Sequence, residues 1–139
     1  MDNLSQRVIK GYELRDLIGS GGFGAIYVAY QTLLDREVAI KAVHPEHANH
    51  PEFIRRFAAE AQLIARLEHL HIVPLYDYWR DPDGAFLVMR YLRGGDLHAT
   101  LSKGAWEVHA VAQLLDQIAS ALSVAHRKGV VHQDVKPSN

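Results

Sequence analysis

Residues 19–24 read Gly19-Ser20-Gly21-Gly22-Phe23-Gly24 and fit the spacing G-x-G-x-x-G. Glycines spaced in this way let backbone N–H groups approach phosphate oxygens without obstruction by side chains. A dinucleotide-binding turn has the same glycines, but there they open a helix. Here Ala25 to Tyr30 follows, and its β-branched and aromatic residues favour a strand. We therefore predict a glycine-tipped hairpin that could cover phosphates, with a merely flexible turn as the alternative.

Lys41 lies at the end of Val38-Ala39-Ile40-Lys41, inside a segment that is otherwise apolar and strand-like. Alternation along a strand puts Lys41 on the same face as Ala39 and Val43. A lysine in that position must either extend its stem to water or meet an anion. The pattern alone favours the first outcome, so a second residue is needed to decide between them.

Glu60 supplies that second residue. It lies between Phe57 and Ile64 on the apolar face of the first predicted helix, where an unpaired carboxylate would be costly to bury. Because this helix directly follows the strand of Lys41, we predict an ion pair between Lys41 and Glu60. A structural salt bridge without catalytic meaning is the alternative.

The final segment, His132 to Asn139, spaces an aspartate, a lysine and an asparagine as H-x-D-x-K-P-x-N. In chain order, the glycine hairpin, V-A-I-K, a helix glutamate, V-M-x-Y-L at residues 88–92 and this segment resemble the Hanks-type serine/threonine protein kinases. The sequence pattern is most similar to that of bacterial members of that family. The resemblance covers about Tyr12 to Asn139, and the absence of G-x-x-x-x-G-K-[ST] argues against a Walker-type NTPase.

The resemblance implies a role for each matching position. Asp134 would be the catalytic base, Lys136 a γ-phosphate contact and Asn139 a ligand of Mg²⁺. Lys41 would hold the α- and β-phosphates of ATP, and Glu60 would orient it. Other ATP-binding positions would be the glycine segment and the residues around adenine and ribose: Ile18, Gly19, Ser20, Gly21, Gly22, Phe23, Gly24, Ala25, Ile26, Ala39, Met89 (the gatekeeper), Arg90 and Leu92 (through their backbone), Asp96 (ribose) and Leu97 (beneath the adenine).

Three departures from the family pattern matter. Gln133 replaces the arginine of H-R-D, which argues against control by a phosphorylated activation loop. Arg90 stands where a hinge glutamate is common, but the contact implied there is made by backbone. No D-F-G, activation loop or A-P-E occurs within these residues, so we expect the first part of a kinase domain, inactive by itself.

For the elements that position these residues, the resemblance implies an α+β, protein-kinase-like fold: a five-stranded antiparallel N-lobe sheet with one αC-type helix, followed by the first C-lobe helices. Strands are predicted at residues 12–18, 25–30, 36–43, 72–79 and 85–90. Helices are predicted at about 52–68 and 107–128, with a short helical stretch near 97–101. Residues 1–11 are expected to be an N-terminal extension to an incomplete kinase domain (12–139), divided into N-lobe (12–90), hinge (90–95) and start of the C-lobe (96–139).

Composition limits the kinds of partner that we expect for this chain. Fifteen basic and 16 acidic residues leave a net charge of −1, which gives no reason to expect nucleic acid. The absence of cysteine fits a cytoplasmic location, and no apolar segment is expected to reach the ~20 residues that span a bilayer. The resemblance to serine/threonine protein kinases implies ATP and Mg²⁺ as cofactors and a protein serine or threonine as substrate. Alternatives are a non-catalytic ATP-binding or interaction module, or a half-domain completed by a C-lobe or another chain.

Two groups of histidines lie close enough in the sequence to be considered as metal ligands. His44, His47 and His50 lie between the third strand and the first helix, where a solvated loop is favoured over a metal site. His69 and His71 flank the entry to the fourth strand, where a structural hydrogen-bonding role is favoured.

Overall fold

The computed structural model describes residues 3–139, which form an antiparallel sheet and four α-helices. The sheet has six strands in the order β1-β2-β3-β4-β6-β5. The strands are β1 (Val8–Ile9), β2 (Tyr12–Ser20), β3 (Gly24–Gln31), β4 (Arg36–Val43), β5 (Leu75–Asp81) and β6 (Gly84–Arg90). The helices are α1 (Pro45–Ala48), α2 (Pro51–Ala65), α3 (Leu97–Leu101) and α4 (Val108–Arg127), with a 3₁₀ turn at Thr32–Leu34.

The chain divides into two compact units. Unit 1 comprises the chain up to Ala65 together with Pro74–Tyr91, and so contains the sheet, α1 and α2. Unit 2 comprises Arg66–Val73 and Leu92–Asn139, and contains α3, α4 and the final segment. The predicted functional residues are therefore divided between two units.

The main hydrophobic core of unit 1 lies on one face of the sheet. Successive side chains of a strand point to opposite faces, so alternate residues of the central strands reach this core. These residues are almost fully buried: Tyr27, Ala29, Val38, Ile40, Ala42, Phe86 and Val88. Trp79 extends the core by stacking on Phe86, with ring centroids 4.9 Å apart.

The N-terminal segment, in the part that the structure describes, packs into this core, and its assignment as an extension to the kinase domain stays a prediction. Leu4 is only 5% exposed, and its N–H donates to the Tyr27 hydroxyl. Gln6 N–H donates to the carbonyl of Leu14, whose own N–H donates to Arg7. The sheet has six strands instead of the predicted five. The additional strand, β1, pairs with β2, and its two residues are too few to show a periodic pattern in the sequence.

The opposite face of the sheet is covered at one end by α1 and α2. Val43, Ala85 and Ala48 form a second buried cluster, against which Phe53 and Phe57 of α2 pack. The remainder of this face is the side of the sheet that carries Lys41.

The fourth predicted strand starts later than expected, at Leu75 instead of Ile72. The N–H of Ile72 closes a turn by donating to the carbonyl of His69 at 3.1 Å. Pro74 then has no N–H to contribute to a strand ladder. The turn and the proline together delay the strand.

Helix α4 begins and ends within one residue of the predicted helix at residues 107–128, but it is more apolar than expected. By length and composition alone its 20 residues could cross a bilayer, so the expectation that no segment reaches that length is wrong. The core helix of a globular domain meets the same criterion. Ala121 and Ala125 of α4 are buried, whereas Val108 and Leu115 are exposed.

We expect Leu4→Ala to lower the free energy of unfolding by about 2–3 kcal/mol, because it removes a buried leucine from the main core. Leu33→Ala is the matched control, since Leu33 is 87% exposed and its loss should change stability by less than about 0.5 kcal/mol. Urea denaturation of the two variants measures both values. Equal destabilisation would show that the N-terminal segment does not pack as described.

Candidate functional site

The glycine hairpin, residues 19–24, forms the tip between β2 and β3, and packing demands a glycine at only one of the positions compared here. A Cβ on Gly24 would lie 2.3 Å from the carbonyl oxygen of Ala42 on β4, which no side chain can tolerate. A Cβ on Gly21 or Gly22 would meet nothing within 4 Å, and neither residue has a positive φ. The fold therefore does not explain these two glycines. A ligand that approaches the backbone closely would explain them.

Five of the predicted ATP-binding residues share the face of the sheet opposite the main core. Ile26 is the strand partner of both Gly19 and Lys41, and Ala39 is the partner of Met89. Cross-strand partners point to the same face, as do residues two apart on one strand. The hairpin ladder continues to the pair Ser20 and Ala25.

Ile18, the residue predicted to roof the adenine, lies where the register between β2 and β3 shifts. Its side chain is 49% exposed. The role of Ile18 stays a prediction.

Lys41 faces an aromatic ring instead of a carboxylate. Its Nζ atom lies 5.8 Å from the centroid of Phe23, within the range of a cation–π interaction. Among residues 3–139, no ion pair joins Lys41 to Glu60. The predicted pair is therefore not formed in this structure.

The reason lies in how α2 is anchored. Phe53, Phe57 and Ala61 recur every fourth residue and turn toward the sheet, and Ala61 is 2% exposed. Glu60 lies off this row and is exposed, and Ile64 is also exposed. The premise that Glu60 is buried was wrong, so nothing forces it to find a cation. Its orienting role stays a prediction.

At the end of β6, the backbone carbonyl of Arg90 receives no hydrogen bond from Pro74, the residue opposite it just before the neighbouring strand. Arg90 N–H donates to the carbonyl of Pro74 at 3.2 Å. Residues paired in this way in an antiparallel ladder exchange two hydrogen bonds, but Pro74 has no N–H to return. The carbonyl of Arg90 is thus suited to accept from a donor on an adenine edge.

In unit 2, Asp134, Lys136 and Asn139 form one hydrogen-bonded cluster. Lys136 Nζ lies 3.1 Å from Asp134 Oδ2. Asn139 Nδ2 donates to the same oxygen at 2.8 Å and to the backbone carbonyl of Asp134 at 2.9 Å. The backbone at Gln133 adopts a φ of 66°, a left-handed conformation that is uncommon for residues other than glycine. The three predicted catalytic-loop side chains are therefore within hydrogen-bonding reach of one another.

These neighbours change the acidity of Asp134. Hydrogen bonds from Lys136, and then from Asn139, hold the pKa of the Asp134 carboxyl below the ordinary value of an aspartate. The carboxylate is exposed and ionised at neutral pH, so it can accept a hydrogen bond from a hydroxyl group but is a weak base. Its first task is to orient a hydroxyl.

Asn139 also fits the expected contact with Mg²⁺. Its nitrogen makes both hydrogen bonds to Asp134, which leaves Oδ1 as the atom available to a hard cation. No group of three or more metal-binding side chains occurs among residues 3–139. Mg²⁺ commonly takes one or two protein oxygens and completes its shell with phosphates and water, so a single asparagine ligand is compatible with it.

The other predicted residues of unit 2 have simpler settings. Asp96 caps α3, because its side chain accepts from the N–H of Ala99 at 2.7 Å. Leu97 is half-buried at the start of that helix, and Leu92 is exposed. The proposed ribose and adenine contacts of these residues stay predictions.

The histidines between β4 and α2 were underestimated from sequence. The expected solvated loop is wrong, because it contains α1, whose Ala48 is fully buried. The rings of His44 and His47 reach the backbone of the glycine hairpin. The pairing of β3 with β4 explains these contacts. Gly24 pairs with Val43, so the residues that follow Val43 lie beside the tip of the hairpin. His69 has the predicted structural role and bonds to Ser120 Oγ at 2.9 Å.

We expect Gly24→Ala to destabilise the protein by more than about 1 kcal/mol, because the strands would have to separate to admit a methyl group. Gly22→Ala should leave the free energy of unfolding within about 0.5 kcal/mol of the original value. Urea denaturation of both variants distinguishes the two glycines. Similar losses from both would contradict the packing described for the tip.

We expect Lys136→Met and Asn139→Ala each to raise the pKa of Asp134, because each removes a donor that favours the ionised carboxylate. Lys136→Met should cause the larger rise, since it also removes a positive charge. NMR titration of the Asp134 carboxyl carbon measures these values. Lys103→Met is the control, because this exposed lysine lies outside the cluster and its loss should leave the titration unchanged.

Known proteins resemble this chain in sequence and in fold. The family model for the protein kinase domain matches residues 12–139. The serine/threonine-protein kinase PrkC of Bacillus subtilis is 38% identical over 137 residues, covering 98% of this chain and 21% of PrkC. PknH of Mycobacterium tuberculosis, also a serine/threonine-protein kinase, is 40% identical over 129 residues, covering 92% of this chain and 21% of PknH.

A crystal structure of the Mycobacterium tuberculosis PknI kinase domain superposes with a TM-score of 0.85 at 29% identity, covering 97% of this chain and 56% of that one. The chain thus spans about a fifth of the length of PrkC and PknH, and about half of the crystallised PknI domain. The similarity to this crystallised kinase domain confirms the predicted kinase-like fold. By its sequence and its fold, this chain belongs to the protein kinase family, alongside bacterial serine/threonine kinases.

Proposed function

We propose that the protein carrying this chain transfers the γ-phosphate of ATP to serine or threonine hydroxyls of proteins. The observation that carries the proposal is the cluster of Asp134, Lys136 and Asn139, which holds an ionised carboxylate, an ammonium and a free amide oxygen on one short loop. Phosphoryl transfer needs little covalent chemistry from a protein, and depends on positioning and on stabilising charge. These three groups are suited to both tasks.

Each unit would contribute its own part to this reaction. The glycine hairpin of unit 1 would lay backbone N–H groups along the phosphates, and Lys41 would neutralise the α- and β-phosphates. In unit 2, Asp134 would orient the attacking hydroxyl, Lys136 would contact the γ-phosphate, and Asn139 would bind Mg²⁺. Mg²⁺, when bound, bridges phosphate oxygens and offsets their charge. A cytoplasmic location for this portion is part of the proposal, because ATP is its substrate.

A second candidate is a kinase-like module that binds ATP without turnover. Two observations favour it: no ion pair joins Lys41 and Glu60 among the described residues, and Gln133 replaces the arginine expected before Asp134. The intact residues at positions 41, 60, 134 and 139 favour the catalytic proposal instead. Binding of ATP with no phosphotransfer by the whole protein would select the second candidate.

We expect the 139-residue chain to bind Mg²⁺-ATP, and Lys41→Met to weaken that binding by about 10- to 100-fold, because a charge-assisted contact to phosphate contributes about 1.5–3 kcal/mol. Isothermal titration calorimetry measures the affinities, with Lys103→Met as a charge-matched control. Phosphotransfer by the chain alone should be absent. Unchanged binding in Lys41→Met would contradict the role of Lys41, and phosphorylation by the chain alone, abolished in Lys41→Met, would contradict the expected inactivity.

A further inference from the structure

We propose that His44 and His47 are positioning residues for nucleotide binding, which hold the glycine hairpin by its carbonyl groups so that its N–H groups face a phosphate. We call these two residues, with their bonds to the hairpin, the histidine latch. The inference rests on the proposed function, because it names what aims the hairpin toward ATP. All of its contacts lie within unit 1.

Three consecutive carbonyls at the tip are bound by this short stretch of chain. His44 Nε2 bonds to the carbonyl of Gly21 at 3.1 Å, and His47 Nε2 bonds to that of Gly22 at 3.0 Å. The backbone N–H of His44 donates to the carbonyl of Phe23 at 3.1 Å. A carbonyl oxygen can only accept, so each imidazole must carry its proton on Nε2.

Fixing these carbonyls also fixes the direction of the N–H groups. In a planar trans peptide the C=O and the following N–H point in opposite directions, and no cis peptide occurs among residues 3–139. The bonds to Gly21 and Gly22 therefore turn the N–H groups of Gly22 and Phe23 away from α1. The tip is exposed there, so the two N–H groups can meet a phosphate oxygen.

The ring of His47 adds a second contact. It stacks on Phe23 with centroids 4.9 Å apart, and Phe23 in turn lies 5.8 Å from Lys41 Nζ. Glu46 Oε1 lies 3.7 Å from His47 Nε2, too far for a hydrogen bond, so the Gly22 carbonyl is the acceptor. The latch thus fixes the hairpin backbone and the ring that borders Lys41.

Two substitutions separate the hydrogen bond from the ring contact. His47→Phe keeps an aromatic ring to stack on Phe23 but loses the donor. His47→Gln loses the ring but keeps an N–H donor close to the position of Nε2. His109→Phe, on the exposed surface of α4, is the control for the same exchange outside the latch.

We expect His47→Phe to weaken the binding of ATP and ADP by about two- to tenfold while leaving adenosine binding unchanged, because adenosine has no phosphate. His47→Gln should restore most of the ATP affinity, and His109→Phe should match the original chain. Equal loss of ATP and adenosine binding, no loss in His47→Phe, or no recovery in His47→Gln would each overturn the inference. Absence of ATP binding by the original chain would overturn the proposed function as well.

A spectroscopic measurement on the original chain keeps the inference testable if a variant fails to fold. Long-range ¹H–¹⁵N NMR of the imidazole rings should show His44 and His47 with their protons on Nε2. The Nδ1–H form at His47 would overturn the latch whatever the nucleotide affinities. A rise in the amide exchange rates of Gly22 and Phe23 in His47→Phe, but not in His109→Phe, would support it.

Discussion

The alternation of β4 between its two faces is the constraint on which the site in unit 1 depends. Ile40 and Ala42 are fully buried in the main core, and this burial fixes Lys41 on the other face. A register slip of one residue would drive the Lys41 ammonium into the core and expose two apolar side chains. The same register sets Ile26 opposite Lys41 and brings β4 so close to the hairpin that Gly24 must be glycine. The register of β4 therefore determines both the placement of Lys41 and the shape of the hairpin tip.

The position of α2 shows a competition between packing and charge. Its aromatic row holds Phe53 and Phe57 against the sheet, and Phe57 meets Tyr78 edge-on with centroids 5.9 Å apart. With that row in place, Glu60 is exposed and Lys41 rests near Phe23. An ion pair between Lys41 and Glu60, as active protein kinases require, would need α2 to turn or shift on the sheet. The aromatic contacts oppose that motion, so the gain from the pair, and from phosphate binding by Lys41, must exceed their loss.

The sequence predicted the features that depend on local pattern. Alternation identified the strand of Lys41, glycine spacing identified the hairpin, and the final segment identified the Asp134 cluster. The sequence missed features that depend on tertiary contacts between residues far apart in the chain. Leu4 gave no periodic signal because its segment has only two paired residues, and Glu60 was misjudged because helical spacing cannot say which row faces the sheet. The contacts of His44 and His47 with the hairpin depend on the register of β3 and β4, which the sequence alone does not reveal.

In unit 2, the order of the Asp134 cluster and its chemistry depend on the same side chains. Asp134 is ionised, and its Oδ2 atom already contacts two donors, so a hydroxyl that approaches that oxygen must compete with Lys136 and Asn139. Binding of Mg²⁺-ATP would give Lys136 another partner, the γ-phosphate, whereas Asn139 would bind the metal through Oδ1 while its nitrogen keeps both hydrogen bonds to Asp134. Asp134 would then lose the hydrogen bond from Lys136, the largest of the contributions that lower its pKa, and become a better proton acceptor when substrate is present. In the free protein Lys136 interacts with Asp134, and the reaction would exchange that interaction for one with ATP. The side chains that order the cluster are therefore also the ones that would act in the reaction.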